Sequence, residues 1–145
     1  MKIILVFALL SCFYSIDEIT YSLNRGFLGR LIDRFSVTFN RLSGIKAEYL
    51  EASRTNTEEA KGKKDYNLTC EDLGLPPLKE LFKLFNKIKF PEETNWMDTK
   101  LFDVPIWHLI VDEKDYYSNR GTDFLTKFMN LVNITNIKEY CKERY

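Results

Sequence analysis

Apolar residues between positions 16 and 52 recur at the spacing of an α-helix, and no other pattern in the chain limits its folds as strongly. The steps alternate between three and four residues with one polar interruption, through Leu28, Leu31, Phe35, Thr38, Leu42, Ile45, Tyr49 and Ala52. This spacing places the side chains on one helix face. Gly26, Gly29 and Gly44 each weaken a helix by about 1 kcal/mol relative to alanine. We therefore expect one long amphipathic helix, kinked near residues 24–29, residues 43–44 or both.

Two later segments have the same spacing. The first begins at Pro76 and ends before Pro91, with leucine and phenylalanine on one side and lysine on the other. The second covers residues 122–133, and the helix is expected to kink or restart around residues 133–136, because Ile134, Ile137 and Cys141 would otherwise point away from the apolar face. These segments predict a small all-α bundle of about four helices, formed as one domain by residues 16–145.

Residues 104–111 form a short, nearly continuous apolar run, whose length fits either a buried strand or a short helix. Its β-branched residues favour a strand. No second strong strand is evident to pair with it, so we expect a helix and keep the strand as the alternative.

The first fifteen residues have the organisation of a secretory signal peptide. Lys2 is followed by an apolar stretch to Leu10 and by Ser-Cys-Phe-Tyr-Ser at residues 11–15, and charge resumes at Asp17. We therefore expect residues 1–15 to be removed, with cleavage after Ser15 or nearer Ser11, and the domain to be secreted. No later apolar run approaches the length of a membrane span.

Export would leave two cysteines, Cys70 and Cys141, in an oxidising compartment. Two thiols in a small secreted domain most simply pair, and this bridge would stabilise the fold by about 4 kcal/mol. Asn67 and Asn133 begin Asn-X-Thr sequons and are the expected glycosylation sites. Residues 53–66 contain almost nothing to bury and are expected to form a mobile polar loop.

Charge and composition exclude several classes of protein. The chain carries 21 basic and 21 acidic residues, and loss of Lys2 gives the mature domain a net charge of −1. This balance argues against a nucleic-acid partner, which normally requires a basic excess. A hydrophobic content of 45% is too high for a disordered chain.

Few residues suggest catalysis. His108 is the chain's one histidine and lies in its most apolar run, so a buried structural histidine is the favoured interpretation. A hydrolytic enzyme using His108 remains an alternative. The sequence has no metal-ligand cluster, phosphate loop or dinucleotide motif, and we expect neither a metal nor a cofactor.

Two charged features suggest a binding surface. Arg30, Arg34 and Arg41 would lie in a narrow arc beside the apolar face of the first helix, where they could bind anionic groups of a partner. A solvated helix flank is the simpler interpretation. Residues 91–115 carry seven acids and two lysines, a net charge of −5.

The expected function is a secreted, non-catalytic helical protein that binds an extracellular or cell-surface protein partner. The alternative is a carrier of a lipid or other hydrophobic small molecule, suggested by the high aromatic content. A carrier requires an internal cavity. The residues expected to line it are Phe82, Phe85, Trp107, Phe124 and Phe128.

Overall fold

The structure is a computed structural model that describes residues 15–27, 30–51 and 62–145. Nearly all of the expected signal peptide lies outside these residues, and so does most of the expected polar loop. The last residues of that loop, from Lys64 onward, belong to a strand.

The described residues form a seven-stranded sheet with helices packed on one face. The strands are β1 (Glu18–Phe27), β2 (Arg30–Asn40), β3 (Gly44–Glu51), β4 (Lys64–Leu68), β5 (Asn95–Trp96), β6 (Ile106–Val111) and β7 (Lys114–Ser118). Their order across the sheet is β4-β3-β2-β1-β6-β7-β5. Neighbouring strands are antiparallel except β5 and β7, which are parallel.

The expected all-α bundle is therefore wrong, because residues 18–51 form three strands instead of one long helix. Inward-facing apolar residues alternate along these strands, as in Phe35, Val37 and Phe39 of β2. Gly44, expected to kink a helix, follows the turn between β2 and β3 with a φ of +98°, which glycine adopts readily. The side-chain Oδ1 of Asn40 closes this turn by accepting hydrogen bonds from the backbone N–H groups of Leu42 and Ser43, each at 2.9 Å.

The apolar run at residues 104–111 contains a strand, β6, so the alternative to a helix was correct for this segment. Its partner on one side is β1, with Ile19 opposite Val111 and Leu23 opposite Trp107. That partner lies in the segment expected to be helical, and the sequence therefore offered no strand to pair with β6.

Three helices are present among the described residues, and all lie where helical spacing predicted them. They are α1 (Leu78–Phe85), α2 (Asp123–Val132) and α3 (Ile134–Glu143). Asn133 separates α2 from α3 with a left-handed φ of 50°, which confirms the expected break there. No helix in the described parts of the chain has the length and apolar character needed to span a membrane.

Aromatic rings from the sheet and the helices form the centre of the core. The ring of Phe39 on β2 contacts Phe85 of α1 and Phe128 of α2, with centroids 5.5 Å and 6.1 Å apart. Phe85 and Phe128 are also 5.6 Å apart. All three side chains are fully buried, so this cluster holds α1 and α2 on the same face of the sheet.

The expected disulfide is also wrong, since Cys70 and Cys141 are both free thiols. Cys141 lies on α3 with no exposed surface, and Cys70 is partly buried in the turn after β4. Burial raises the pKa of Cys141 to about 11 and also raises that of Cys70, so both thiols are neutral near pH 7. The core is held together by packing, without a Cys70–Cys141 bridge.

Candidate functional site

A buried carboxylate lies on the inner face of the sheet, next to α3. Only 3% of the Asp33 side chain is exposed. Arg25 Nε donates to Asp33 Oδ1 at 2.8 Å, and Arg25 Nη2 donates to the other carboxylate oxygen. Lys138 on α3 places its Nζ 3.6 Å from Asp33 Oδ2. Two cations from different elements therefore share one carboxylate.

The strand register brings Arg25 and Asp33 together. They are direct partners in the β1–β2 ladder, and the register shifts by one residue immediately beyond them, with Ile32 as the additional residue of β2. Gly26 lies at this shift, and a Cβ atom there would be 2.9 Å from the carbonyl oxygen of Arg30. Glycine is therefore required for the close approach of the two strands beside the ion pair.

The charges of this cluster alter one another's ionisation. Burial raises the pKa of Asp33, but the hydrogen bond from Arg25 and the positive charges of Lys138 and Arg25 outweigh it, and the net pKa lies below its ordinary value. Burial lowers the pKa of Lys138, and the nearby Asp33 opposes that effect only in part. Asp33 is therefore ionised throughout the neutral range.

A pocket of about 350 Å³ opens beside this cluster, between the sheet and helices α2 and α3. Its apolar lining consists of Tyr21, Leu23, Phe35, Trp107, Met129 and Ile134. The remaining lining residues are polar or charged and comprise Arg25, Thr135, Lys138, Glu139 and Lys142. The pocket therefore combines an apolar interior with a charged rim that is rich in cations.

Two polar atoms are buried under the pocket. The hydroxyl of Tyr21 and the indole Nε1 of Trp107 have no hydrogen-bond partner of normal geometry among the described residues. Burial raises the pKa of Tyr21, and the nearby indole N–H of Trp107 offsets the rise only slightly. Because burial dominates, Tyr21 stays a neutral phenol.

A larger depression of about 1040 Å³ lies at the other end of β1, but it is shallow and widely open to solvent. The Asp112 carboxylate in it already accepts the backbone N–H groups of Asp17 and Glu18, at 2.9 Å and 3.0 Å. The side chain of Asp17 is paired with Arg41 at 2.9 Å. Asp112 and Asp17 in this larger depression are thus already engaged in local hydrogen bonds and an ion pair. We therefore regard the smaller pocket as the candidate site.

His108 lies on the outer, polar face of the sheet and not in the core. Its Nε2 is 2.8 Å from Asp115 Oδ1, its ring stacks on Tyr117 at 4.2 Å, and 23% of the side chain is exposed. Ser22 is its cross-strand neighbour on β1, but the Ser22 hydroxyl donates to Ser36 at 3.2 Å. Within the described residues, this histidine–carboxylate pair therefore has no serine hydrogen-bonded to it.

The three expected anion-binding arginines are not brought together. Arg30 and Arg34 lie on β2, Arg41 lies in the turn after it, and the rise of about 3.3 Å per residue spreads them over more than about 30 Å. Arg34 donates to Asn24 at 2.6 Å, and Arg41 pairs with Asp17. Only a helix would have grouped these side chains.

The residues expected to line a cavity are mostly part of the packed core. Phe82, Phe85, Phe124 and Phe128 are buried, and Trp107 is the one of the five that lines the pocket. The two sequon asparagines, Asn67 on β4 and Asn133 between α2 and α3, are exposed. Their glycosylation stays a prediction.

Sequence reasoning missed Arg25, Asp33 and Lys138. One signal for Asp33 was present, because it continues the inward alternation of Phe39, Val37 and Phe35 and is the charged member of that series. Lys138 lies more than a hundred residues from Arg25, and nothing in the sequence relates them. Among the described residues, no group of three or more acidic, histidine or cysteine side chains is arranged to hold a metal ion. No family model, curated protein or solved structure matches the chain.

Proposed function

We propose that the protein is a non-catalytic binding protein that holds a small, mainly apolar molecule between its sheet and α3. The observation that carries this proposal is the 350 Å³ pocket, with six apolar or aromatic side chains inside and charged groups at its rim. Ligand pockets generally have volumes of about 300–1,000 Å³ and combine an apolar lining with a few polar groups. The volume here is at the lower end of that range and suits a small ligand.

A non-catalytic role is supported by where the reactive side chains lie. His108 and its carboxylate partner Asp115 are on the outer face of the sheet, whereas the pocket opens on the inner face. The proposed site of action is outside the cell, and the support for it is the signal-peptide pattern of residues 1–15. Together these features support the proposal of an extracellular carrier of a small molecule.

The two tryptophans allow a direct test of binding. Trp107 lines the pocket, while Trp96 packs against Tyr116 and Phe124 and supplies an internal reference. We expect octanoate, octan-1-ol or octylamine to shift the ¹⁹F resonance of 5-fluorotryptophan at position 107 in a saturable manner. The resonance of Trp96 should not move. If none of the three probes shifts Trp107, the proposal is wrong.

A blocking variant locates the binding in the pocket. Thr135 is exposed at the pocket rim, so Thr135→Trp fills the entrance without removing any core contact. Thr126→Trp is the matched control, because Thr126 is exposed on α2 and does not line the pocket. Both variants are produced in a host that does not glycosylate, because Thr135 also completes the Asn133 sequon. We expect Thr135→Trp to weaken probe binding at least about tenfold and Thr126→Trp to leave it unchanged. Equal binding by both variants would contradict the pocket as the site.

Binding of a protein partner is a second candidate, favoured by one further observation. The connection from β5 to β6 exposes Met97, Leu101 and Phe102, with Phe102 80% exposed, inside the acidic segment 91–115. Exposed apolar side chains in one segment are typical of interaction surfaces. A photo-crosslinking residue at position 102 should give a discrete product on cell surfaces, whereas the same group at exposed Lys127 should not. Products of equal yield at the two positions would argue against this role.

A further inference from the structure

The rim of the pocket carries more positive than negative charge. Arg25, Lys138 and Lys142 line it together with one acid, Glu139. Asp33 lies behind the rim and is paired with both Arg25 and Lys138. Three cations therefore face two carboxylates. Glu51 also acts on the charge of Arg25, from outside the pocket.

Lys142 is the cation most available to a ligand. It is exposed on α3, one helical turn beyond Lys138, and it forms no ion pair within the described residues. Arg25 adds donors to the same rim, since its side chain is 40% exposed and only two of its five N–H groups are directed at Asp33. An oxyanion at the rim would therefore meet donors on β1 and α3 that no other described residue occupies.

The interior of the pocket determines the size and the chemistry of the part of the ligand that it would enclose. Its apolar side chains include the aromatic residues Tyr21, Phe35 and Trp107. Its volume of about 350 Å³ lies at the small end of the range for ligand pockets. This space suits a short alkyl or aryl group.

We infer that the ligand is an amphipathic monoanion, an apolar body of about eight carbons bearing a carboxylate that binds at Lys142 and Arg25. The inference rests on the proposed function and specifies the ligand class for the same pocket. A hydrogen bond that involves charged groups is about twice as strong as a neutral one. Lys142 and Arg25 should therefore bind the carboxylate more tightly than the hydroxyl of a neutral molecule of equal length. The cationic rim also repels an amine of equal length.

Three probes of one chain length test this assignment. Octanoate, octan-1-ol and octylamine are titrated into the full chain at low salt, and the Trp107 ¹⁹F shift gives each dissociation constant. We expect octanoate to bind about tenfold more tightly than octan-1-ol, and octylamine to bind more weakly than either. Lys142→Gln should reduce the affinity for octanoate and leave that for octan-1-ol unchanged. Lys127→Gln, at an exposed lysine outside the pocket, is the matched control and should change neither affinity.

The outcomes separate this inference from the proposed function. Saturable binding with equal affinity for octanoate and octan-1-ol, or tighter binding of octylamine, overturns the anionic class while the binding function stands. A preference for octanoate that persists in Lys142→Gln overturns the role of Lys142 in holding the carboxylate. If no probe shifts Trp107, the proposed function fails, and the inference fails with it.

Discussion

Arg25 and Asp33 are direct partners across β1 and β2, and the arginine holds the carboxylate through two hydrogen bonds on the inner face of the sheet. The Asp33 side chain is almost completely buried, whereas 40% of the Arg25 side chain remains exposed. Lys138 approaches the same carboxylate from α3. This cluster joins the sheet to the C-terminal helix and forms one wall of the pocket.

Removal of the buried carboxylate should destabilise the protein. Asp33→Asn leaves Arg25 and Lys138 without their shared counter-charge, and we expect the free energy of unfolding to fall by about 2–3 kcal/mol. This is less than the 3–5 kcal/mol found for fully buried pairs, because Arg25 is partly exposed. Asp17→Asn removes an exposed pair with Arg41 and should cost less than about 1 kcal/mol. Urea denaturation measures both, and equal effects would contradict the special role of Asp33.

The same carboxylate predicts how stability depends on acid. The folded pKa of Asp33 lies below the unfolded value of about 3.9, so the unfolded chain binds the proton more readily. The contribution of Asp33 is therefore fully present above about pH 5 and is lost as pH falls below about 4 through the folded pKa. Wild type and Asp33→Asn should differ most in urea midpoint above about pH 5, and the difference should shrink as pH falls below about 4. A difference that is constant with pH would contradict this.

How far the sequence predicts the fold depends on steps of four residues, which fit both helices and strands. Phe35 and Phe39 are four apart, as are Ile45 and Tyr49, so each pair lies on one face in either structure. The intervening residues decide, because Val37 joins that face only in a strand. Steps of three, which a strand would place on opposite faces, were misleading between residues 16 and 52, because they ran through Thr38, which is only partly buried, and Leu42, which is exposed in a turn. The helices α1 and α2 were predictable, because their residues at steps of three are themselves buried, as in Phe82 and Phe85 of α1.

The site was less predictable than the fold, because it depends on contacts between distant parts of the chain. Trp107 was recognised as a lining residue from its aromatic character alone. The pairing of Asp33 with Arg25 requires the β1–β2 register, and the approach of Lys138 requires the packing of α3 on the sheet. Neither was available while residues 16–52 were interpreted as a helix.

Removal of two different tyrosine hydroxyls should change the free energy of unfolding in opposite directions. Tyr49 is fully buried and its hydroxyl has no hydrogen-bond partner in the described parts of the chain, while burial and the charges of Glu51 and Asp33 raise its pKa to about 12. Tyr49→Phe removes an unsatisfied polar group and should raise the free energy of unfolding by about 1 kcal/mol. Tyr116 donates to the carbonyl of Pro91 at 2.9 Å, so Tyr116→Phe should lower it by about 1 kcal/mol.

Urea denaturation of the two tyrosine variants, compared with wild type, measures both changes on the same scale. The pair is well matched, because each substitution deletes one oxygen from a buried ring and leaves the ring itself in place. A loss of stability in Tyr49→Phe equal to that in Tyr116→Phe would mean that the Tyr49 hydroxyl forms a hydrogen bond in solution.

The two thiols should be free in the folded protein, and Cys141 should be protected from alkylation. Cys141 has no exposed surface and a pKa of about 11, so its reactive thiolate is scarce at pH 8. Cys70 is partly exposed, and we expect it to react with iodoacetamide faster than Cys141. In urea without a reductant, both cysteines should be fully alkylated, as peptide mass spectrometry would show. Recovery of a peptide pair linked through Cys70 and Cys141 would contradict the structure, because such a bond resists alkylation in urea.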